Sequence, residues 1–528
     1  MTGASVEHLI RPLSAARFLR RGSSASISQN SRAAAGPGPS DIAIWSDRVT
    51  VVKSQPASNF GADVRASSPD YVTDVPYVTT FTPYLAPAWL DFVALLGGQA
   101  PPGRQGGFAW CELGCGQGVT AAILAATHPE GAFYGIDLMP NHISNGEFLA
   151  SRAGIANLTL HCGDFATAAT LELPTFNYIV AHGVYSWVSD AQQADLRRFI
   201  NSHLAPGGLV YISYNALPGW AAELPFAHLL RALAATASGD SISRFATANS
   251  IITRLGVAGA QELAASLGAA TLGRLRQSYS AGYLAHEYLA PHAQPLYVTE
   301  VRRDMAEIGL KALGSATFLE NFDSFMLRQA ERQALDEIED ADLRALARDY
   351  VLAQRFRRDV FSRDGRPLDE REVRRAMLDG VFMLARPAED VRYVWPTPAG
   401  SLHFDNPVTR GIAAALSERP RRLGDIPLGR TMLRDRIAGA IGLIAGGAII
   451  PVGPSSAPVA RLNAALREAL IGDPPSPMLA LPCGTALPVP PELLRHLFDG
   501  ADLPISLIPY AAFLTRIFPQ GFEPTTAE

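Results

Sequence analysis

Apolar and polar residues alternate along the first half of the chain in a pattern typical of successive strands and helices. Five short apolar runs have the length of buried strands: residues 108–113, 132–136, 158–161, 176–181 and 209–213. Longer segments with apolar residues three and four positions apart separate them, as in the helix predicted over 141–153. Such an alternation predicts a parallel sheet with helices on both faces. We therefore expect an α/β, doubly wound, Rossmann-like domain over residues 69–220.

The helical spacing continues beyond this domain, over residues 221–280. A helix is predicted at 298–308 and a strand at 310–316, and this pair has the pattern of a last helix and a sixth strand for the same sheet. We therefore interpret residues 221–326 as a helical insertion that is followed by the last elements of the sheet.

The two ends of the chain have a different composition. Residues 1–68 are rich in Ser, Ala, Arg, Gly and Pro and have little periodicity, which favours a disordered tail over a transit peptide. Residues 327–528, which include 355–378, are rich in helical patterns broken by prolines and predict a mainly helical C-terminal domain. We expect this domain to serve dimerisation, in a possible homodimer, or substrate docking. A DNA-binding helix–turn–helix at 407–450 is less favoured because the chain lacks net positive charge.

Composition narrows the class of protein. The 528 residues are 48% hydrophobic and 18% charged, which is typical of a globular chain with several domains. A formal net charge of -5 gives no electrostatic reason to expect nucleic-acid binding. Four cysteines have neither zinc-site nor disulfide spacing, so we expect no metal site and a cytoplasmic protein. The longest uncharged apolar run, 437–450, predicts a buried helix, since a transmembrane span needs about 18 residues.

The most informative segment runs from Glu112 to Gly118, where a predicted strand ends and a helix begins. Gly114, Gly116 and Gly118 occupy alternate positions. Glycine permits a tight turn and a close approach of ligand to backbone, and the first N–H groups of the helix are available as donors. No P-loop lysine follows, and Val119 stands where the dinucleotide fingerprint has its third glycine. At this point a nucleotide-like ligand, a nicotinamide cofactor and no ligand at all remain open.

Polar side chains follow the ends of the neighbouring strands. Glu112, Asp137, Asp164 with Phe165, and His182 come at the ends of the first four strands in turn. Carboxyl ends of parallel strands meet at one edge of a sheet, where open α/β sheets bind ligands. S-adenosylmethionine has an ammonium group, a ribose diol and an adenine amine, and one acid is available for each of them. A nicotinamide cofactor would leave Glu112 and Asp164 without a role. The predicted cofactor-binding residues are Tyr77, Glu112, Gly114, Cys115, Gly116, Gly118, Asp137, Leu138, Asp164, Phe165 and His182.

With Leu204-Ala-Pro-Gly-Gly208 before the fifth strand, these residues make the chain resemble class I S-adenosylmethionine-dependent methyltransferases. Four more motifs are similar to those of bacterial methyltransferases that carry a methyltransferase regulatory domain: Tyr71-Val-Thr-Asp-Val-Pro-Tyr77, His182-Gly-Val-Tyr-Ser-Trp187, Tyr214-Asn-Ala-Leu-Pro-Gly-Trp220 and Tyr283-Leu-Ala-His-Glu-Tyr-Leu289. The resemblance covers about residues 70–330 and departs from many class I enzymes at Glu112, where they have Asp. That group includes enzymes that methylate lysines of bacterial outer-membrane proteins. The resemblance therefore implies methyl transfer to a protein lysine or another amine.

The identity of the methyl acceptor does not follow from these motifs. A small-molecule methyltransferase and a non-catalytic cofactor-binding regulatory protein are the alternatives. We expect the acceptor to contact three catalytic candidates, His182, Tyr214 and Asn215, because they follow the fourth and fifth strands. Tyr185 and Trp187 are candidate aromatic walls for a developing ammonium group.

The sequence His286-Glu287 begins a zinc-protease motif without completing it. Ala290 stands where the second histidine of such a motif is required, so a metalloprotease is not expected. We interpret the pair as structural or as contacting the acceptor.

Overall fold

The computed structural model describes residues 72–75, 80–104, 106–453, 458–469 and 478–518. The predicted tail over 1–68 and the predicted ligand contact Tyr77 lie outside these described residues.

Seven strands form one central sheet. They are β1 Phe108–Leu113, β2 Gly131–Asp137, β3 Leu158–Cys162, β4 Phe176–Ala181, β5 Leu204–Asn215, β6 Lys311–Ser315 and β7 Phe356–Ser362. Their order across the sheet is β3-β2-β1-β4-β5-β7-β6. The first five are parallel, whereas β7 runs antiparallel to both β5 and β6. This sheet confirms the predicted Rossmann-like α/β class.

Helices cover both faces of the sheet because successive residues of a strand point to opposite sides. In β4, Tyr178 and Val180 pack into one apolar core, and Ile179 packs into the other. The helices that alternate with the strands are α1 Pro87–Leu96, α2 Val119–Thr127, α3 Pro140–Ala153, α4 Phe165–Ala168 and α5 Asp190–His203. The strand ends of β1 to β5 consequently meet at one edge of the sheet, and this edge carries the candidate site.

Five helices follow β5 and enclose a small apolar core of their own. They are α6 Leu224–Ala235, α7 Ser241–Val257, α8 Gln261–Ala264, α9 Leu267–Ser278 and α10 Ala281–Leu289. The described N-terminal segment packs against them. Ser241 donates from its backbone and its hydroxyl to the Asp74 carboxylate, and His286 Nε2 lies 2.8 Å from the carbonyl oxygen of Val75. Residues 72–75 therefore lie against the helices that follow β5.

The seventh strand corrects our interpretation of residues 355–378 as part of a helix-rich region. After α11 Val298–Glu307 and β6, the chain forms α12 Asp323–Met326, α13 Gln329–Asp336 and α14 Ala341–Leu352 and then returns to the sheet as β7. Arg357 and Asp359 interrupt the apolar pattern of this strand, yet both are buried as an ion pair at 2.9 Å. We propose that the sheet domain extends to Ser362.

Beyond β7 the chain is rich in helices and also forms small sheets. The helices are α15 Glu370–Asp379, α16 Pro407–Leu416, α17 Leu433–Ala445, α18 Ala460–Ala469, α19 Pro491–Asp499 and α20 Ile508–Ile517. A three-stranded sheet contains β8 Val381–Leu384, β11 Arg421–Arg422 and β12 Ile449–Val452. One hairpin joins β9 Val394–Thr397 to β10 Gly400–His403, and a second hairpin joins β13 Met478–Leu481 to β14 Thr485–Pro488. Short 3-10 helices occupy Pro83–Leu85, Phe318–Asn321, Ala388–Asp390, Leu423–Asp425 and Ile505–Leu507.

Helix α17 has a buried C-terminal half. Every residue from Ile437 to Ala445 is buried, as expected for the apolar run at 437–450. A helix that reads DNA presents an exposed polar face, so this burial disfavours a recognition helix at 407–450. Among the helices in the described ranges, none combines the length and the apolar character needed to cross a membrane.

Candidate active site

The glycine-rich turn joins β1 to α2 with its backbone turned toward the edge of the sheet. The N–H groups of Gly114 and Cys115 donate to the carbonyl oxygen of Ile136 on β2, at 2.8 and 3.1 Å. Gly114, Gly116 and Gly118 all have positive φ angles, of 75°, 52° and 68°. A Cβ atom on Gly116 would meet no atom within 4 Å, so the turn leaves open space beside its backbone. This is the geometry that a closely approaching ligand requires.

Glu112 supplies a carboxyl group at the base of this turn. Its side chain is buried, and its Oε2 atom has no hydrogen-bond partner among the described residues. Burial, and secondly the negative charge of Asp137, raise the pKa of Glu112 well above its usual value. A buried carboxyl oxygen without a partner is costly, and a cationic ligand group would satisfy it. Glu112 therefore fits the α-ammonium group of S-adenosylmethionine.

Asp137 ends β2 and is held in a fixed orientation. Its Oδ2 accepts a hydrogen bond from the Gly116 N–H at 2.8 Å, and its Oδ1 accepts one from the Met139 N–H at 3.0 Å. The Nδ1 atom of the buried His142 lies 3.0 Å from the same Oδ1. Each carboxylate oxygen has two acceptor positions, so Oδ2 retains one for a ribose hydroxyl. The half-buried Leu138 follows directly and belongs to the same turn.

Asp164 and Phe165 follow β3 at the rim of the site. Asp164 is exposed and caps α4, because its Oδ1 accepts from the Thr167 N–H at 2.8 Å. This hydrogen bond lowers the pKa of Asp164, so the group is ionised at neutral pH. Phe165 is half-buried and packs against the core of the sheet domain. The cap fixes Asp164 at the edge where the adenine amine is expected.

His182 ends β4 and carries a neutral imidazole at physiological pH. Burial and the neighbouring Arg358 lower its pKa to about 3. Its Nδ1 lies 2.8 Å from the Tyr211 hydroxyl and 3.1 Å from the Ser213 hydroxyl. An imidazolium ion with this pKa has lost its extra proton near pH 7, and the neutral ring keeps one N–H. His182 can therefore position a ligand, but it is too weak a base for the catalytic role that we expected from the sequence.

The structure also corrects the expectations for Tyr214 and Tyr185, which are both fully buried. The hydroxyl of Tyr214 donates to the Asp359 carboxylate at 2.7 Å, within the ion-paired network of β7. The hydroxyl of Tyr185 donates to Asp304 on α11 at 2.8 Å. Because side chains alternate along a strand, Tyr214 points into a core. Neither hydroxyl is available to an acceptor in this structure.

Asn215, the last residue of β5, is the catalytic candidate that does reach the edge of the sheet. It is half-buried, and its backbone N–H donates to the Ser186 hydroxyl at 3.1 Å. Its side chain is a polar neighbour of the Glu287 carboxyl group on α10, as is the side chain of Tyr283. Burial raises the pKa of Glu287 to about 7. The structure thus brings Asn215 together with an acid that the sequence places in an incomplete zinc motif and that we interpret as structural or as contacting the acceptor.

One signal in the sequence points to Glu287. Within α10, Leu284, Ala285 and Tyr288 are buried, so the acid interrupts an apolar helix face. An acid on such a face is unusual unless it has partners or a function. Its partner Asn215 lies 72 positions earlier in the chain, and only the fold brings them together.

Comparisons with known proteins agree with this geometry. Two family models match the chain, one described as a methyltransferase domain over residues 105–250 and one as a predicted methyltransferase regulatory domain over residues 280–363. An uncharacterized protein of Synechocystis sp. is 31% identical over 357 residues, which is 67% of this chain and 70% of that protein. An uncharacterized protein of Rickettsia prowazekii is 36% identical over 151 residues, or 28% of this chain and 58% of that protein.

A solved structure extends the similarity at the level of the fold. PKMT2 from Rickettsia typhi, in complex with AdoHcy, superposes with a TM-score of 0.62 at 20% sequence identity. The similarity covers 86% of this chain and 93% of that one. At this identity the match shows a common fold.

Proposed function

Because this chain belongs to the family of class I methyltransferases that carry a methyltransferase regulatory domain, we propose that it methylates lysine side chains of a protein. The chain is an S-adenosylmethionine-dependent methyltransferase. The finer statement, a protein lysine as acceptor, has two supports: the motifs described above, and a fold shared with PKMT2 of Rickettsia typhi.

The observation that carries the proposal is the pair Asn215 and Glu287 at the end of β5. A lysine side chain is an ammonium ion at neutral pH, with an ordinary pKa near 10.4. An acceptor site for it therefore needs a carboxylate or a carbonyl oxygen beside the point of transfer. Glu287 offers the first and the Asn215 side chain the second, and the two side chains are neighbours.

The residues of this chain have a limited chemical task. Bound S-adenosylmethionine supplies an activated methyl group on a positively charged sulfur. Glu112 and Asp137 would hold its amine and its ribose, and the glycine turn leaves room for close contact with the backbone. The enzyme must then place the acceptor nitrogen in line with the methyl carbon and exclude water. Asn215 at the end of β5 donates a hydrogen bond from its backbone N–H to Ser186 in the loop after β4, at the same edge of the sheet.

We also propose that the reaction takes place in the cytoplasm. The four cysteines Cys111, Cys115, Cys162 and Cys483 are free thiols in the structure, which supports a reducing compartment. A homodimer through the C-terminal region, and the absence of nucleic-acid binding, stay predictions from the sequence.

Labelling tests the acceptor class. Purified protein is incubated with methyl-labelled S-adenosylmethionine and a heat-treated lysate of its own cells, and acid hydrolysates are analysed for methylated lysine. We expect label in protein bands and in methyl-lysine, and its loss with Glu112→Gln but not with the exposed control Glu130→Gln. Label only in small molecules would establish the small-molecule alternative. Cofactor binding without any transfer would establish the non-catalytic one.

A further inference from the structure

Arg358 on β7 carries a half-buried guanidinium group that lies over two aromatic rings. Its guanidinium carbon is 4.6 Å from the centroid of the Tyr84 ring and 4.8 Å from that of the Phe356 ring. Its Nη1 donates to the Thr317 hydroxyl at 3.0 Å, and its buried Nε has no hydrogen-bond partner among the described residues. A guanidinium has five N–H donors, so most of the hydrogen-bonding capacity of Arg358 is unused.

The strand register places Arg358 beside His182, at the edge of the sheet that carries the candidate site. Arg358 is paired with Ser213 of β5, and directly opposed residues of neighbouring strands project from the same face. The Ser213 hydroxyl is 3.1 Å from Nδ1 of His182, which follows β4. The centroid of the Phe356 ring is 6.1 Å from that of the His182 ring. Arg358 and His182 therefore have Ser213 and Phe356 as common neighbours.

A second set of contacts leads from Arg358 to the glycine turn. Tyr84, whose ring lies under the guanidinium, is two residues from Thr82. The Thr82 N–H donates to the Thr120 hydroxyl at 3.2 Å, and Thr120 lies in the first turn of α2, two residues after Gly118. Arg358 thus contacts one end of a short segment whose other end is fixed at the start of α2.

Cations are scarce at this edge of the sheet. None of the segments that directly follow β1 to β5 contains lysine or arginine: 114–118, 138–139, 163–164, 182–189 and 216–220. Arg355, which precedes β7, is ion-paired with the fully buried Glu223. Arg358 forms no ion pair in the described part of the chain. It is therefore the cation at this edge that is available to an anionic ligand group.

The acid that follows Thr317 is engaged by other partners. The two carboxylate oxygens of Glu320 accept hydrogen bonds from the Ser315 hydroxyl at 2.7 Å and from the Gln354 side chain at 2.9 Å. An enclosed charge without an ion-pair partner is costly, and an anion supplied by a ligand would offset that cost.

From this arrangement we infer that Arg358 binds the carboxylate of the methionine part of S-adenosylmethionine. The cofactor carries its ammonium and its carboxylate on one carbon atom, and Glu112 fits the ammonium. A planar guanidinium matches a carboxylate through two parallel hydrogen bonds, and the rings of Tyr84 and Phe356 would keep its plane in place. The inference concerns the cofactor alone and holds for any methyl acceptor.

The spacing of the strands is compatible with one ligand between Glu112 and Arg358. In the order of the sheet, β7 is three strands away from β1, which corresponds to about 14 Å. The two side chains and the amino-acid end of the ligand together span such a distance. A lysine or an arginine nearer to the turn would make this reach unnecessary, but the segments beside the turn have none.

The test compares two ligands by titration calorimetry with the full-length protein. S-adenosylhomocysteine carries the carboxylate, whereas decarboxylated S-adenosylhomocysteine keeps the amine and lacks the carboxylate. The wild type should bind the decarboxylated ligand about tenfold to a hundredfold more weakly, the range expected for a charged hydrogen bond. Arg358→Gln should lose a similar factor for S-adenosylhomocysteine and bind the decarboxylated ligand as the wild type does. Arg358→Lys, which keeps the charge without the planar fork, should lose less.

Arg366→Gln is the matched control, an exposed arginine beyond the opposite end of β7, and it should bind both ligands as the wild type does. Equal wild-type affinities for the two ligands would overturn the inference even if no Arg358 variant folds. An Arg358→Gln that weakens both ligands by the same factor would show a structural role and overturn it as well. Unchanged S-adenosylhomocysteine binding with a raised acceptor KM would assign Arg358 to a carboxylate of the acceptor instead. A wild type that labels no protein lysine would defeat the proposed function and not this inference, because the calorimetry involves no acceptor.

Discussion

Replacing Glu112 by Gln tests the cofactor site with little change in shape. The substitution keeps the size of the side chain and removes its capacity for negative charge. In the free protein, burial and Asp137 raise the pKa of Glu112, so the group holds its proton to a higher pH than an ordinary glutamate. An ammonium group bound against Oε2 would favour the charged form and lower that pKa. Cofactor binding should therefore release a proton from Glu112.

The expected loss of affinity follows from the contact that Glu112 would make. A hydrogen bond to a charged group contributes about 1.5–3 kcal/mol, and about 1.4 kcal/mol corresponds to a factor of ten in Kd. Glu112→Gln should therefore weaken binding of S-adenosylhomocysteine by roughly 10- to 150-fold. Part of the loss will be offset, because Gln does not have to be deprotonated before the ligand binds.

Titration calorimetry in buffers of different ionisation enthalpy checks both points. Wild-type affinity should increase with pH between the pKa of Glu112 in the complex and its pKa in the free protein. The observed enthalpy should also vary with the buffer, because a proton is released. Glu112→Gln should remove both effects, and Glu130→Gln, an exposed acid at the end of the next loop, should retain them. An affinity within twofold of the wild type, with no proton release in either protein, would refute the assignment of Glu112 to the ammonium group.

Two further predictions concern the turn and the buried tyrosine. Gly114→Ala should lower the free energy of unfolding by about 2–4 kcal/mol in thermal denaturation, because its positive φ is combined with a clash on Val184. Gly116→Ala should lower the free energy of unfolding by only about 1 kcal/mol, since the space beside it is open, but it should weaken the free energy of cofactor binding by more than this amount. Equal losses of Tm in Gly114→Ala and Gly116→Ala would contradict the described packing. Tyr214→Phe should cost about 1.5–3 kcal/mol through the lost bond to Asp359 and leave kcat unchanged. A large fall in kcat at unchanged Tm would show that Tyr214 acts at the acceptor site.

The strands of the sheet could be predicted from the sequence wherever apolar runs are bounded by glycine or acids. Strands β1 to β4 are found within one or two residues of their predicted positions. Strand β7 could not be identified in this way, because Arg357 and Asp359 read as solvent-exposed charges. Their burial depends on each other and on Asp349, whose carboxylate lies 2.6 Å from Arg357. A local pattern carries no information about such partners.

The same reason explains which residues of the candidate site could be predicted from the sequence. Glu112, Asp137 and Asp164 are correctly placed at strand ends, because the topology of a parallel sheet sends those ends to one edge. For Tyr214 and Asn215, adjacent residues of one strand, the sequence does not tell which one faces the site. The structure assigns the edge to Asn215 and the core to Tyr214. Glu287 stands out in the sequence as an acid on an apolar helix face, but its place beside Asn215 follows only from the fold.

The position of β7 between β5 and β6 has a consequence for synthesis of the chain. Until residue 362 has left the ribosome, β5 has parallel β4 on one side and no neighbour on the other. An unpaired strand edge of this kind is a template for association with other chains. The helices after β5 emerge during this interval, and α10 later brings Glu287 to the end of that same strand. The acceptor side of the site is therefore complete only after β7 has paired with β5. A fragment that stops before Phe356 leaves this edge of β5 permanently unpaired.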